Sequence, residues 1–267
     1  MRPSRIVKKL RENQPVLLTT LHLMDASLFE LASLMGFDGI WIDMEHHSHS
    51  VETAATMMRA ARVGSSDILA RPAKGEFMRL GRLLEAGAQG ILYPRCDNAK
   101  EAAEVVRWAK FPPLGQRGLD TGNADAPYCT MPIDKYVKEA NDQTFIIVQV
   151  EDPAAITHVE EMLAVPGVDG IMIGPGDFSS LAGLPGQVKH PSILAAAARV
   201  AEAARRTGKH WGIPVASVED AAKYLEMGAR FLPHHSDIMI VKQGWERMQQ
   251  AFAPLGFSFN NRLPVQG

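Results

Sequence analysis

Two carboxylates, Glu151 and Asp177, stand twenty-six residues apart, each just past an apolar run: Phe145-Ile-Ile-Val-Gln149-Val before Glu151, and Gly170-Ile-Met-Ile-Gly-Pro-Gly176 before Asp177. That separation is about one strand-helix-strand unit, so the two acids are expected at the ends of neighbouring parallel strands, on one edge of a sheet. Placed there they form an oxygen-rich socket for a hard divalent cation such as Mg2+ or Mn2+. Each acid alone reads as an ordinary strand-end carboxylate facing water. Gln149 shares a face with Glu151 by the period of two, and the three together favour the metal.

Other apolar runs also stop at residues with chemistry. One closes with Asp43-Met44-Glu45-His46-His47-Ser48-His49. His46 among acids suits a general base, because a neighbouring carboxylate fixes the imidazole tautomer and raises its basicity; the other reading is a polar loop residue. His47 and His49 are weaker candidates for a histidine metal site, since no spaced partner accompanies them. Leu69-Ala70-Arg71-Pro72 sends an arginine out of an apolar strand. It needs an anionic partner, either a bound carboxylate or enolate oxygen, or a salt bridge to Glu45 or Glu151. Arg95 is a second cation or a solvated loop charge. Gly174-Pro175-Gly176-Asp177 reads as a small-residue turn exposing N–H groups to a substrate carboxylate, or as a tight turn without a ligand. His234 and His235 either line a pocket or are structural.

A divalent ion chelated by the carboxylate and keto oxygen of a 2-oxo acid polarises the carbonyl and stabilises an enolate. Carbon–carbon cleavage then needs only a base for the leaving hydroxyl. No lysine ends an expected strand, which argues against Schiff-base chemistry, and no Gly-rich phosphate loop or dinucleotide fingerprint is present.

These residues need a scaffold that gathers strand ends. Eight apolar runs read as strands: 16–23, 39–45, 68–72, 88–94, 145–151, 170–174, 211–216 and 230–234. Helical periodicity follows them over 25–35, 51–63, 76–86, 98–109, 153–163, 191–207, 218–227 and 237–252. Eight β-then-α units predict a single-domain α/β chain, a (β/α)8 TIM barrel over 1–254 with a tail over 255–267. Residues 1–12 read as a short amphipathic helix, and the Pro- and Gly-rich stretch 111–132 as a lid or binding loop. The 267 residues carry a net charge of -2 at a pI near 6.5, which leaves no basic footprint for nucleic acid and favours a small soluble substrate. Two cysteines, Cys96 and Cys129, make no disulfide framework, and no stretch reaches membrane-spanning length, so the expectation is a cytoplasmic protein.

The segments Gly36-Phe-Asp-Gly-Ile-Trp-Ile-Asp43-Met-Glu45-His46, Arg71-Pro72, Phe111-Pro-Pro-Leu-Gly-Gln-Arg117-Gly118, Gln149-Val-Glu151 and Gly170-Ile-Met-Ile-Gly-Pro-Gly-Asp177 occur in this order across nearly the whole chain. Together they resemble the HpcH/HpaI family of metal-dependent, class II pyruvate aldolases. The resemblance implies a (β/α)8 barrel that exchanges its last helix with a partner subunit, commonly in homohexamers. It further implies Mg2+, Mn2+ or Co2+ on Glu151 and Asp177, and pyruvate on Arg71 and the Gly176-Asp177 backbone. His46 would be the general base, oriented by Asp43, Gln149 would touch the metal-bound oxygen or substrate, and an acid at Glu85 would lie near a neighbouring subunit's site. The implied reaction is reversible cleavage of a 4-hydroxy-2-oxo acid to pyruvate and an aldehyde. Met44, His47-Ser48-His49, Arg95 and Pro233-His234-His235-Ser236 depart from the family pattern. All are expected at the aldehyde side, where they suggest an acidic or polyhydroxylated partner. Competing readings are oxaloacetate decarboxylation or another enolate-forming reaction, a non-catalytic oxo-acid-binding barrel, and a zinc hydrolase built on the histidines.

Overall fold

Eight parallel strands close on themselves in chain order: β1 (Val16–Leu21), β2 (Gly39–Asp43), β3 (Asp67–Arg71), β4 (Gly90–Tyr93), β5 (Phe145–Val150), β6 (Gly170–Ile173), β7 (His210–Gly212) and β8 (Phe231–Ser236), with β8 returning to β1. The computed structural model describes residues 1–260. Helices surround the barrel: α1 (Arg5–Arg11), α2 (Ala26–Leu34), α3 (Val51–Ala60), α4 (Phe77–Ala86), α5 (Ala99–Ala109), α6 (Ile133–Gln143), α7 (Val159–Ala164), α8 (Pro175–Leu181), α9 (Pro191–Thr207), α10 (Val218–Glu226) and α11 (Asp237–Phe252). The expected (β/α)8 barrel is therefore the observed fold. The expected tail, 255–267, is described only to residue 260; residues 261–267 lie outside the described residues.

Helix starts follow local chemistry. Ser4, Asp25, Ser50, Asn98 and Ser217 each accept a first-turn N–H with their side chains, satisfying donors that a helix leaves open. Strand alternation separates two cores. On β2, Ile40 and Ile42 pack outward against helices, while Trp41 points into the barrel. On β5, Ile146, Val148 and Val150 face out, and Phe145 and Ile147 face in. Continuing the inward set by steps of two brings Asp43, Arg71, Gln149 and Glu151 to the barrel mouth, where all four are buried. The opposite end is plugged by α1, whose Ile6, Val7 and Leu10 join Trp41, Leu69 and Phe145 in the inner core.

Two helices were not evident from the sequence. Helix α6 buries only Tyr136 and Ala140, an apolar stripe too thin to read as periodicity. Helix α8 replaces the expected Gly174–Asp177 turn: Pro175 at its first position is preset for a helix start, and Asp177 lies in its first turn. Strand β7 ends at Gly212 rather than Ala216, since Pro214 offers no N–H, and only an isolated bridge, Val215 to His234, continues it.

The 111–132 stretch is no lid over this chain's own strand ends. It leaves the C-terminal end of α5 and so emerges at the opposite end of the barrel, where Arg62 Nη2 binds the Ala124 carbonyl at 3.0 Å and Phe111 packs edge-on to Tyr136. Helix α11 is the exception among the surrounding helices. Its only buried residue is Asp237, and Trp245, Met248 and Phe252 are exposed.

Candidate active site

Arg71 occupies the centre of the mouth. Pairing of β2 with β3 aligns Asp43 with Arg71, and the guanidinium forks onto that carboxylate, Nε to Oδ1 at 2.9 Å and Nη2 to Oδ2 at 2.7 Å. Its Cζ lies 4.7 Å from the centre of the Trp41 ring. Nη1 is held more loosely, with Glu45 Oε2 and Gln149 Oε1 each 3.3 Å away. Burial alone would raise the Asp43 carboxyl. The Arg71 fork and the N–H groups of Glu45 and His46 more than offset it and hold Asp43 below the usual carboxylate range.

Glu151 ends the inward line of β5. Its Oε1 accepts from Gln149 Nε2 at 2.8 Å and its Oε2 from the Arg95 backbone N–H at 2.9 Å. Burial pushes its pKa up to about 7; the Arg95 N–H and Arg71 oppose this, while the charges of Glu45 and Asp177 add to it. Glu45 is likewise raised, first by burial, and one of its oxygens is buried without a hydrogen-bond donor. The absence of a side chain at Gly174 makes room for this cluster: a Cβ there would stand 2.3 Å from Glu151 Oε1. Strands β5 and β6 are paired and parallel as expected, although Asp177 reaches the mouth from α8 rather than from a strand tip. The N–H groups of Gly176 and Asp177 precede the first intrahelical bond of α8, which Phe178 donates to the Gly174 carbonyl.

His46 is more exposed than the rest of the set. Its Nε2 lies 3.7 Å from Glu45 Oε2, and its side chain is 54% exposed. Asp43 reaches it through the His46 backbone N–H at 3.4 Å, so the carboxylate beside the imidazole is Glu45, not Asp43. Arg95 turns its side chain outward and contributes its backbone to Glu151. A cavity of about 270 Å3 opens on the other side of Arg71, between the ends of β1, β2, β7 and β8, and is lined by Thr20, His22, His234, His235 and Ser236. His234 Nδ1 donates to the Val215 carbonyl at 2.8 Å, which in a neutral ring leaves Nε2 as an acceptor.

The closed barrel agrees with the comparison with known proteins. Residues 20–242 fit the sequence model of the HpcH/HpaI aldolase/citrate lyase family. The chain belongs to this family. It is 34% identical to the 4-hydroxy-2-oxo-heptane-1,7-dioate aldolase of Escherichia coli over 91% of this chain and 92% of that enzyme. It also resembles solved HpcH/HpaI structures: the aldolase from Desulfitobacterium hafniense DCB-2 (TM-score 0.86, 28% identity, 97% of this chain and 98% of that one) and a family protein from Burkholderia cenocepacia J2315 (TM-score 0.87, 29% identity, 94% and 99%).

Within this HpcH/HpaI barrel, the Arg71–Glu45 ion pair is one of the two salt bridges the sequence offered, and sequence reasoning missed two contributors. The Arg95 N–H and the bare face of Gly174 left no signal, because both act through backbone whose position depends on the β4, β5 and β6 register.

Proposed function

We propose that this protein is a divalent-metal-dependent lyase that reversibly cleaves a 4-hydroxy-2-oxo acid to pyruvate and an aldehyde. One observation carries the reading: Glu151 is buried, with its pKa pushed up to about 7, among further acids and opposite Arg71. Such a carboxylate favours either a proton or a cation, and the surrounding oxygen donors suit Mg2+, Mn2+ or Co2+. Glu45 Oε2, buried beside Arg71 Nη1 without a hydrogen bond, and the space reserved at Gly174 fit this use. Glu151 and Asp177 would hold the ion, which when bound supplies Lewis-acid polarisation of the substrate carbonyl.

This chain's residues do the rest. Arg71, fixed through Nε and Nη2, offers its loosely held Nη1 to a substrate oxygen, and the N–H groups of Gly176 and Asp177 take the carboxylate. Gln149 bridges Arg71 and Glu151 and contacts the same substrate. His46 removes the proton of the C4 hydroxyl; the C3–C4 bond breaks, its electron pair passes toward the C2 carbonyl, and a proton returned to C3 completes pyruvate. The leaving aldehyde lies toward the histidine-lined cavity, where an acceptor at His234 suits a hydroxylated group. Among the described residues no helix is long and apolar enough to cross a membrane, and we place the enzyme in the cytoplasm. The exposed face of α11 and the resemblance to HpcH/HpaI enzymes support exchange of the last helix within a homohexamer, with Glu85 beside a neighbouring subunit's site. Residues 1–254 form the catalytic domain.

The test is pyruvate release from a panel of 4-hydroxy-2-oxo acids, with EDTA or with added Mn2+ or Mg2+, using oxaloacetate as a control. Cleavage is expected only with metal, and His46→Ala should lower it by ~10²- to 10⁴-fold. The exposure of His46 favours one second reading, oxaloacetate decarboxylation, which needs no base at the hydroxyl. Decarboxylation should survive His46→Ala within a few-fold. Turnover of oxaloacetate alone by the wild-type chain would reject the aldolase in favour of that reading.

A further inference from the structure

The ends of β1 and β2 carry two nitrogen donors, on His22 and His47, that have no chemical step in the proposed cleavage. His22 follows β1, and both carboxylate oxygens of Asp237 accept its backbone N–H at 3.0 Å, which fixes the residue at the mouth. The imidazole of His47 stacks on that of His22, with centroids 4.1 Å and planes 27° apart. One nitrogen from each ring and one Asp43 oxygen all lie within 4.8 Å of one another.

The Asp43 carboxylate has room for a further partner. Asp43 Oδ1 is crowded by Arg71 Nε and the N–H groups of Glu45 and His46, whereas Oδ2 accepts only Arg71 Nη2. A carboxylate has about four lone-pair positions. Oδ2 therefore keeps one open, and it lies 4.0 Å from His47 Nε2. His49 stacks on His47 in turn, centroids 5.5 Å apart, with its buried Nε2 lacking a partner.

We propose that His22, Asp43 and His47 form a second metal site, for a borderline transition ion such as Zn2+, separate from the oxygen pair Glu151 and Asp177. Two imidazoles and one carboxylate favour Zn2+, Ni2+ or Co2+ over Mg2+. The two sites draw on different parts of the barrel, β1 and β2 against β5 and β6. The inference does not depend on which reaction the enzyme catalyses. Because the ion shares Asp43 with Arg71, its arrival loosens the fork that holds the guanidinium, and zinc is expected to slow turnover.

Zn2+ titration against a chromophoric chelator tests the site in the full-length protein, in Glu151→Gln/Asp177→Asn, and separately in His22→Gln and His47→Gln. The double variant is expected to keep one tight Zn2+ equivalent. Each histidine variant should weaken that equivalent at least about tenfold while retaining Mn2+ binding, read by electron paramagnetic resonance. X-ray absorption of the zinc-loaded double variant should show two imidazole scatterers, a readout on an unaltered ligand set should a histidine variant misfold. Loss of tight zinc from the double variant, or its persistence in both histidine variants, overturns the proposal.

Discussion

Glu151 couples the pH dependence of folding to that of metal binding. Its folded pKa is raised from 4.5 to about 7, so the protonated form favours the fold. That contribution is complete below pH 4.5 and is lost as pH rises through about 7. In the metal-free protein the ionised, buried carboxylate is then a liability that Glu151→Gln removes. Melting curves in EDTA should therefore show the variant and the wild type with similar midpoints near pH 4.5 and the variant more stable above pH 7; a gap independent of pH would sink this account. Metal affinity moves the other way, rising with pH until Glu151 is ionised. The position of Glu151 was legible because an apolar run stops there, although alone it read as an ordinary strand-end acid, and Arg71 was visible as the end of another such run. The pairing of Arg71 with Asp43 was not, since it follows from the β2–β3 register, which aligns these two residues. The resemblance implied that Asp43 orients the His46 ring, whereas strand pairing turns Asp43 to Arg71 and leaves it only the His46 backbone N–H.

At the scale of elements, the site depends on a plug at the far end of the barrel. Helix α1 buries Ile6 and Leu10 in the inner core. It is pinned by Asp67, which accepts Ser4 Oγ at 2.6 Å and the Ile6 N–H at 2.8 Å, and by Asp38, paired with Arg5 and Lys9. Leu10→Ala should cost ~2–5 kcal/mol, the range for emptying a buried leucine site, in urea unfolding. Because α1 lies opposite the strand ends, kcat of the folded variant should stay near that of the wild type; a catalytic loss with unchanged stability would contradict this division. The amphipathic character of residues 1–12 was evident from their pattern, but not that the apolar face enters the barrel. The regular β-then-α units were equally readable, because helices such as α3, α4, α5 and α9 bury a stripe of three or more residues against the sheet. The failures, α6 and α8, are helices whose small or sparse apolar residues give no such stripe.

At the scale of the whole molecule, α11 leaves an apolar face uncovered. A soluble barrel buries its surrounding helices, yet here Ile238, Ile240, Trp245, Met248 and Phe252 are each at least 44% exposed, a grouping that signals an interface rather than a free surface. Symmetric exchange of this helix would bury the face and replace what one barrel lacks. Light scattering coupled to gel filtration should find the wild type as an oligomer, and Trp245→Asp combined with Met248→Asp should shift it to smaller species; a monomeric wild type would remove the exchange altogether. The consequence for catalysis separates the two halves of the proposed site. Glu151, Asp177 and Arg71 all come from one chain, so the dissociated variant should keep its Mn2+ affinity. Glu85, half-buried on α4 and raised by burial against the opposing charge of Arg117, has no place at its own chain's strand ends. If it serves a neighbouring subunit, dissociation should abolish most turnover while leaving metal binding intact, and Glu85→Gln in the intact oligomer should lower activity with no effect on assembly.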